Sequence, residues 1–560
     1  MKLHHHLPVW GGALVWALLW PAFAAAPGEQ AANSAPARRG LIVDTPAGRI
    51  EGQVDGELRV FKGIPYALPP VGQARWKPPS PMPRWAEVRK ATEFGPACYQ
   101  PTVRVQTVYT RDPLPMSEDC LTLNIWARAD ARNAPVFFWI YGGALTSGAS
   151  REGLYDGARL AAMGMVVVSI NYRLGVLGWL AHPELSAESP KGVSGNYGLL
   201  DQIEALRWVQ RNIGAFGGDP SNVTIAGESA GGLSVMYLMA APPARGLFSK
   251  AIAQSAYMIS TPELKQRRFG SEAAEGSGTR LAAALHAPNL AALRAMDARA
   301  LTDAAAAAGY APWGTIDGQI LPRQLVDVFD RGEQAQVPIL AGFNSGEIRS
   351  LRALAPRPAA NAAEYERIIR ERYLDLADEF LRLYPSTNME ESILATTRDA
   401  LYGWTAERLV RAQATLRASS FLYYFDHGYP AEDSVGLHAF HASELPFMFG
   451  TLEATTPNWP KIPATPRETS LSEAMMGYWT SFARTGKPQA ANQPNWPAYG
   501  SAHSYMGFTD APHPSDHLLP GMYEFNEAVV SRSRASGDIA WNWNAGLASP
   551  KLPAQNLPAK

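Results

Sequence analysis

Six continuous apolar runs, each bounded by turn residues, constrain the fold of this chain more than any other feature. They occupy residues 136–141, 166–171, 223–227, 250–254, 337–342 and 421–425. Runs without polar alternation are typical of strands buried on both faces, as in a mostly parallel sheet. Between two of them, residues 198–213 place Leu199, Ile203, Leu206 and Ile213 near one face of a predicted helix. Strands that alternate with helices predict an α/β fold with a large, mostly parallel mixed sheet.

The chain is expected to form one large domain. Its 560 residues would suffice for one very large α/β domain or for several smaller ones. No internal repeat and no long linker divides the region after residue 40. Long helical patterns over residues 361–417 predict a helical insertion over one end of the sheet, without a Pro/Gly/Ser-rich boundary around it. We therefore predict a single domain over residues 40–560.

The N-terminus carries the pattern of an export signal. Lys2 is followed by an uncharged apolar run over residues 7–20 and by Ala22-Phe23-Ala24, the small-x-small pattern that signal peptidase cleaves. A retained membrane anchor is the alternative, but two prolines and two glycines interrupt the apolar region. The prediction is a signal peptide over 1–24, a flexible leader over 25–39 and no stable membrane span after cleavage. The protein would then be periplasmic or secreted.

The charge balance argues against two classes of partner. The chain has 50 Lys and Arg against 51 Asp and Glu, a formal net charge of −1. Such a chain has no overall field that would attract nucleic acid or an anionic membrane. Neither is expected as a partner, and the oligomeric state is left open.

The two cysteines, Cys98 and Cys120, are expected to form one disulfide, because disulfides persist in exported proteins. The alternative is a pair of buried thiols that never meet. Neither a CxxC nor a His/Cys cluster accompanies them, so no metal is expected. The sequence also has no HExxH motif and no nucleotide-binding motif, and we predict no cofactor.

A strand-turn-helix pattern surrounds Ser229. The predicted strand over 223–227 runs into GESAG at residues 227–231, and a helical pattern begins at Leu233. A serine nucleophile stands on a sharp turn so that its Oγ projects clear of the sheet, and glycines at both ends of this pentapeptide avoid collisions there. A bare G-x-S-x-G is weak evidence, and the strand before it and the helix after it make it specific. Ser229 is therefore a candidate nucleophile rather than a small residue in a tight turn.

A glycine-rich turn follows the predicted strand over 136–141, at Gly142-Gly143-Ala144. Such a turn exposes backbone N–H groups. Those of Gly143 and Ala144, together with that of Ala230 after the nucleophile, could bind the oxyanion of a tetrahedral intermediate. Taken alone, this turn would be read as a simple structural turn.

Several motifs make the chain resemble the type-B carboxylesterases, a family of α/β-hydrolase fold that includes the cholinesterases. The resemblance runs from about residue 40 to residue 525. Besides the segment around Ser229, it rests on FKGIPYA at 61–67, SEDCLTLNI at 117–125, NYRLG at 171–175, GLLDQ at 198–202 and FGGDP at 216–220. The resemblance implies an exported serine hydrolase that acts on carboxylic esters.

A serine nucleophile needs a base within hydrogen-bond reach and a carboxylate that orients this base. On this fold the chain order is Ser, acid, His, which excludes His182 and leaves seven later histidines open. The resemblance selects His441, because HASELPFMFG at 441–450 is similar to the family's histidine loop. His438 is its nearest rival and is expected only to line the loop.

The resemblance also points to the acid. GFNSGE at 342–347 is similar to the family's acid loop, which makes Glu347 the candidate. Glu347 would stand at the carboxyl end of a strand, where open α/β sheets place their sites. Asp317 is a weaker candidate, since its Asp-Gly pair is explained by a turn. Glu228, next to the nucleophile, is expected to tune the site.

The substrate is expected to be a small ester, hydrolysed through an acyl-enzyme on Ser229. The cholinesterase branch holds its cationic group on a tryptophan between the first two cysteines. Here that loop has no Trp, and Tyr99 and Tyr109 are its only aromatics, so a choline ester is not expected, although Tyr109 could substitute in part. The Gly-Gly-Ala turn is associated in the family with bulky alcohol groups.

Three departures from the family pattern concern the shape of the pocket rather than the catalytic groups. Ala144, Ala256 and Ile348 stand where members often have glycine.

The alternative functions on the same triad are those of an amidase, a carbamate hydrolase or a lipase. The sequence distinguishes these activities poorly, because the pocket that selects the substrate is built from loops. A catalytically silent binding module is the alternative of another class, but such relatives lose the nucleophile.

Overall fold

A large mixed β-sheet forms the centre of the fold, and the helices pack on it. The structure is a computed structural model, and it describes residues 41–103, 105–541 and 545–554. Its strands are β1 (Leu41–Thr45), β2 (Gly48–Asp55), β3 (Leu58–Pro65), β4 (Arg89–Lys90), β5 (Ala97–Cys98), β6 (Met116–Ser117), β7 (Thr122–Arg128), β8 (Ala134–Ile140), β9 (Val166–Ile170), β10 (Gly218–Glu228), β11 (Lys250–Gln254), β12 (Ile339–Asn344), β13 (Ser420–Phe425), β14 (Ser504–Phe508) and β15 (Pro512–Asp516).

Within the described residues, twelve strands follow one another across the sheet in the order β1-β2-β3-β7-β9-β8-β10-β11-β12-β13-β14-β15, and β4 pairs with β2. The strands from β9 to β14 in this order are parallel to their neighbours. Those from β1 to β9, and the pair β14 and β15, are antiparallel. The six strands predicted from apolar runs are β8 to β13, and every residue of β8, β9, β11 and β12 is buried. The predicted α/β-hydrolase fold is confirmed.

Helices cover the sheet and link its parallel strands. They are α1 (Ala158–Ala162), α2 (Gly175–Trp179), α3 (Pro183–Glu188), α4 (Tyr197–Asn212), α5 (Ala230–Ala240), α6 (Ala274–Ala284), α7 (Leu290–Ala295), α8 (Ala298–Ala307), α9 (Leu325–Asp330), α10 (Ala362–Tyr373), α11 (Ala377–Leu383), α12 (Met389–Arg398), α13 (Trp404–Thr415), α14 (Pro430–Asp433), α15 (Leu445–Phe449), α16 (Pro466–Thr485) and α17 (Met522–Ser536). The predicted helix over 198–213 is α4, with Leu199, Ile203 and Leu206 fully buried.

The helical insertion predicted over residues 361–417 is formed by α10 to α13, with a π-helical turn over Asp399–Gly403 before α13. Helix α13 packs on β12 and β13, while α12 contacts the short 3₁₀ helix Glu347–Arg349 that follows β12. Helices α10 and α11 have their own apolar cluster, which includes Tyr365, Phe380 and Phe525. The insertion therefore reaches the carboxyl end of the sheet at Glu347.

Cys98 and Cys120 form the predicted disulfide. It closes a loop whose ends are the short parallel strands β5 and β6, with Cys98 opposite Ser117. The predicted signal peptide (1–24) and leader (25–39) lie outside the described residues, so the domain boundaries stay a prediction. In the ranges that are described, we find no helix with the length and apolar character needed to span a bilayer.

Candidate active site

Ser229 stands at the turn between β10 and α5. Its backbone has φ 57° and ψ −122°, a left-handed region that residues with a side chain rarely adopt. The Ser229 N–H donates to Gln254 O at 3.0 Å, which ties the turn to the end of β11. The side chain is half-buried, whereas its neighbours Glu228 and Ala230 are buried. Such a strained turn, held by its surroundings, is typical of a nucleophile elbow.

The two glycines of the elbow are required by close backbone contacts. A Cβ on Gly231 would lie 2.0 Å from Ile140 O, at the end of β8. A Cβ on Gly227 would lie 2.5 Å from the carbonyl carbon and oxygen of Gly231. Neither distance is possible between unbonded atoms, so the turn fits against β8 only with glycine at both positions. This is the collision that the sequence pattern predicts.

His441 and Glu347 are in direct contact. His441 Nδ1 is hydrogen-bonded to Glu347 Oε2. The other oxygen of this carboxylate, Oε1, accepts from Ser255 Oγ at 2.6 Å and from the backbone N–H of Asn344 at 2.9 Å. Glu347 is fully buried, so its orientation is set by these three partners. The structure therefore brings the predicted acid and base together.

The second ring nitrogen of His441 faces the elbow. Nε2 lies 3.0 Å from Glu228 Oε1, the carboxylate beside Ser229. The contact has the distance of an ion pair without the alignment of a hydrogen bond, and Glu228 Oε1 has no hydrogen-bond partner among the described residues. Within the same residues, Ser229 Oγ also makes no hydrogen bond. The ring of Tyr402 covers His441, with the ring centroids 5.2 Å apart.

Three buried carboxyl groups, on Glu228, Glu347 and Glu444, surround the one imidazole. Burial, opposed by the charge of His441 and assisted by the carboxylates of Glu444 and Glu347, raises the pKa of Glu228 to about 8. Burial by itself lowers the pKa of His441, but the charges of Glu228 and Glu347 outweigh it and raise this pKa to about 9. Burial, followed by the charge of Glu347, raises the pKa of Glu444 to about 7. The site therefore favours a positive charge on His441.

The Gly142-Gly143-Ala144 turn packs directly on the elbow. A Cβ on Gly142 would lie 2.7 Å from Glu228 O and 3.0 Å from Ser229 Cβ. Gly143 and Ala144 both have positive φ, 103° and 55°. No residue in the described ranges accepts a hydrogen bond from the N–H of Gly143, Ala144 or Ala230. Three unpartnered donors are thus available around Ser229.

The rival candidates are engaged in other contacts. His438 uses both ring nitrogens, with Asp433 Oδ1 at 2.8 Å and Asp426 Oδ1 at 3.2 Å. Asp317 Oδ1 accepts the backbone N–H groups of the turn over residues 319–321. Where the structure is described, we find no group of three or more His, Cys, Asp or Glu side chains suited to a metal ion.

Sequence reasoning missed Ser255, Glu444 and Tyr109 as neighbours of the candidate site. Ser255 contacts Glu347, and Glu444 accepts from Gln254 Nε2 and Asn344 Nδ2, each at 2.8 Å. The sequence offers Tyr109 as an aromatic of the disulfide loop that could partly replace a cation-binding tryptophan, whereas in the structure its hydroxyl donates to His441 O at 2.7 Å. The only sequence signal for Ser255 is its place directly after the strand β11.

Comparison with known proteins agrees with this geometry. Residues 39–525 match the model of the carboxylesterase family. Para-nitrobenzyl esterase of Bacillus subtilis is 38% identical over 470 residues, covering 82% of this chain and 92% of that protein. Fumonisin B1 esterase of Sphingopyxis macrogoltabida is 36% identical over 497 residues, covering 84% of this chain and 86% of that protein. A solved PNB esterase superposes with a TM-score of 0.75 at 33% identity, covering 86% of this chain and 99% of that one.

The chain therefore belongs to the carboxylesterase family. It is an enzyme of the carboxylesterase class with the α/β-hydrolase fold.

Proposed function

We propose that Ser229, His441 and Glu347 form the catalytic triad of a serine ester hydrolase. The observation that carries this proposal is the position of His441: Nδ1 bonds the buried Glu347, and Nε2 faces the elbow that presents Ser229. In the neutral imidazole this arrangement favours a proton on Nδ1 and leaves Nε2 to accept one. The three residues come from separate elements, and only the fold joins them.

Acylation begins when Ser229 Oγ attacks the carbonyl carbon of the ester while His441 Nε2 takes the serine proton. Nε2 and Ser229 Oγ are not hydrogen-bonded in the free enzyme, and catalytic hydrogen bonds of this kind are often long until substrate binds. The N–H groups of Gly143, Ala144 and Ala230 would stabilise the oxyanion. His441 then protonates the leaving alcohol, and the acyl group remains on Ser229.

Deacylation repeats these steps with water as the nucleophile. His441 accepts a proton from water, the hydroxide attacks the acyl carbonyl, and the proton returns to Ser229 Oγ as the acid leaves. Glu347 stabilises the imidazolium that forms in each half-reaction. Its two further hydrogen bonds, from Ser255 and from the Asn344 N–H, keep this carboxylate aimed at Nδ1.

The family acts on small esters, and two relatives bear the names para-nitrobenzyl esterase and fumonisin B1 esterase. We infer that an ester with a bulky alcohol group is accepted here. The support is the Gly-Gly-Ala turn, in which Ala144 is exposed beside the elbow. A series of alcohols of increasing size on a constant acyl group tests this inference.

The experiment for the triad compares the mature enzyme with Ser229→Ala on p-nitrophenyl esters of increasing acyl length. Ser501→Ala is the matched control, because Ser501 is exposed and distant in sequence from every site residue. We expect Ser229→Ala to lose at least about a thousandfold in kcat, since the covalent step is removed. The control should keep the activity of the unaltered enzyme.

Labelling separates the alternatives. A p-nitrophenyl phosphonate should add one mass equivalent to the unaltered enzyme and none to Ser229→Ala. Equal hydrolysis by both proteins would refute the role of Ser229. Labelling without ester turnover, together with turnover of anilides or carbamates, would favour an amidase or carbamate hydrolase. The absence of both labelling and turnover would favour a silent binding module.

We also propose that the enzyme is exported to the periplasm or the medium. The Cys98–Cys120 disulfide supports this proposal, because structural disulfides persist mainly in oxidising compartments. Cleavage after Ala24 is the expected processing step.

A further inference from the structure

The disulfide loop reaches the histidine loop through Tyr109. Tyr109 lies midway between Cys98 and Cys120, and its ring meets those of Phe440, His441 and Trp459 at centroid distances of 6.3, 6.5 and 6.1 Å.

Side chains after the histidine loop hold the part of the disulfide loop around Tyr109 in place. Thr456 Oγ1 donates to Val108 O, and Asn458 Nδ2 donates to Thr107 O at 3.1 Å and contacts Gln106 Oε1 at 3.2 Å.

The hydroxyl of Tyr109 has two partners, His441 O at 2.7 Å and Ser350 Oγ at 2.7 Å. A carbonyl oxygen only accepts, so the single phenolic proton goes to His441 O. Ser350 must then donate its own proton to the Tyr109 oxygen. The result is a short chain of hydrogen bonds, Ser350 to Tyr109 to His441, in which each bond strengthens the next.

This chain of hydrogen bonds connects the elements that carry the acid and the base. Ser350 directly follows the 3₁₀ helix Glu347–Arg349, whose first residue is the proposed acid. The hydroxyl of Tyr109 therefore contacts both the segment that begins at Glu347, through Ser350, and the loop of His441. The two loops are also joined at the site by the Glu347–His441 bond, by a backbone bridge between Gly346 and Phe440, and by Asn344 Nδ2, which donates to Phe440 O and Glu444 Oε2.

The histidine loop needs such support because its backbone is strained. Ala439 and Ala442, on either side of His441, have positive φ of 45° and 69°. Alanine in this region is disfavoured by about 1–2 kcal/mol, so the loop keeps its shape only through contacts with its surroundings. A bond to the carbonyl of His441 itself acts at the centre of this strained segment.

We propose that Tyr109 is a positioning residue for His441, holding the main chain of the base in the orientation that aims Nε2 at the elbow. The inference rests on the proposed role of His441. Tyr109 does not touch the reacting atoms. Its effect is on the geometry of a proton transfer, which is steeply sensitive to displacements of the order of 1 Å.

The test is Tyr109→Phe, which removes the hydroxyl and keeps the ring. We expect kcat per active site to fall about five- to tenfold with KM changed less than about twofold, because substrate contacts are unaltered and the base is misaligned. Sites are counted from the p-nitrophenol burst, so that a misfolded fraction does not lower the measured kcat. Ser350→Ala should lower kcat in the same direction by a smaller factor, since Tyr109 keeps its bond to His441.

Tyr365→Phe is the matched control. The Tyr365 hydroxyl also donates to a carbonyl, Tyr384 O at 3.1 Å, but within the separate apolar cluster of α10 and α11. It should leave kcat per site unchanged. If Tyr109→Phe lowers the number of sites or the melting temperature but not kcat per site, the hydroxyl has a merely structural role and the proposal is wrong.

A rise in KM at constant kcat would also overturn it and would make Tyr109 a substrate contact. Failure of the triad is a separate result, because Ser229→Ala would then retain turnover whatever Tyr109→Phe does.

Discussion

Glu228 gives the site its most testable electrostatic feature. This buried carboxyl lies 3.0 Å from Nε2 of His441, and its charge is the largest effect that raises the pKa of His441. As the proposed base, His441 acts only when it is neutral, so a raised pKa is expected to move the acid limb of the pH–rate profile to higher pH. Because Glu228 and His441 titrate together, the apparent pKa read from the acid limb belongs to the pair rather than to either residue alone.

Glu228→Gln should move the acid limb of kcat/KM to lower pH. Glutamine keeps the shape of the side chain but has no negative charge, so the pKa of His441 falls and more of it is neutral at a given pH. Profiles measured from pH 5 to 10 on one p-nitrophenyl ester show the shift. The exposed Glu453 provides the control Glu453→Gln, whose limb should coincide with that of the unaltered enzyme. A limb that moves upwards, or stays in place, would contradict the role assigned to Glu228.

At the residue scale, the sequence predicts those site residues that a local motif marks. Ser229 is marked by its elbow, and Glu347 and His441 by loops similar to those of the family. Ser255 and Tyr109 carry no such mark, because their roles come from contacts with residues 92 and 332 positions away. Side chains that act on another residue across the fold cannot be identified from spacing alone.

The elbow shows how two elements constrain one residue. Strand β8 and the start of helix α5 approach so closely that a Cβ on Gly231 would lie 2.0 Å from Ile140 O. The sheet cannot move away, since β8 is paired on both sides, with β9 and β10.

Gly231→Ala should therefore destabilise the protein by about 3 kcal/mol or more, the upper range for forcing an extra carbon into a packed core. Urea unfolding measures the change. Gly214→Ala is the matched control, because a Cβ there meets nothing within 4 Å and its φ is not in the left-handed region. Its free energy of unfolding should change by less than about 0.5 kcal/mol. Similar stabilities for the two variants would contradict the steric account of the elbow.

At the element scale, burial on both faces together with an uninterrupted apolar sequence decides which strands could be predicted, since β7 is buried except at Arg128 but is interrupted by Asn124. The strands β8 to β13 are apolar runs because neighbours cover both faces. Strand β2 instead alternates between buried and exposed residues, and β15 is mostly exposed, so neither forms an apolar run. The antiparallel edges were therefore not predicted, although the parallel centre was.

At the scale of the whole molecule, export and disulfide formation belong together. We expect the mature protein from the cell envelope or medium to begin at Ala25 and to contain no titratable thiol. N-terminal sequencing and thiol titration under denaturing conditions check both points. A chain that begins at Met1, or one with two free thiols after isolation from the envelope, would contradict the export proposal.

The residues of the candidate site are far apart in the sequence, and this separation has a consequence for the folding of the enzyme. Tyr109 and His441, which contact each other, are 332 residues apart, although the loops of the site follow neighbouring strands of the sheet. Folds rich in contacts of such long range form slowly, because the entropy of closing long loops is lost before the contacts form. Ester turnover therefore indicates that the whole domain has folded. A truncated or half-folded chain would lack part of the proposed triad and would therefore show no ester turnover.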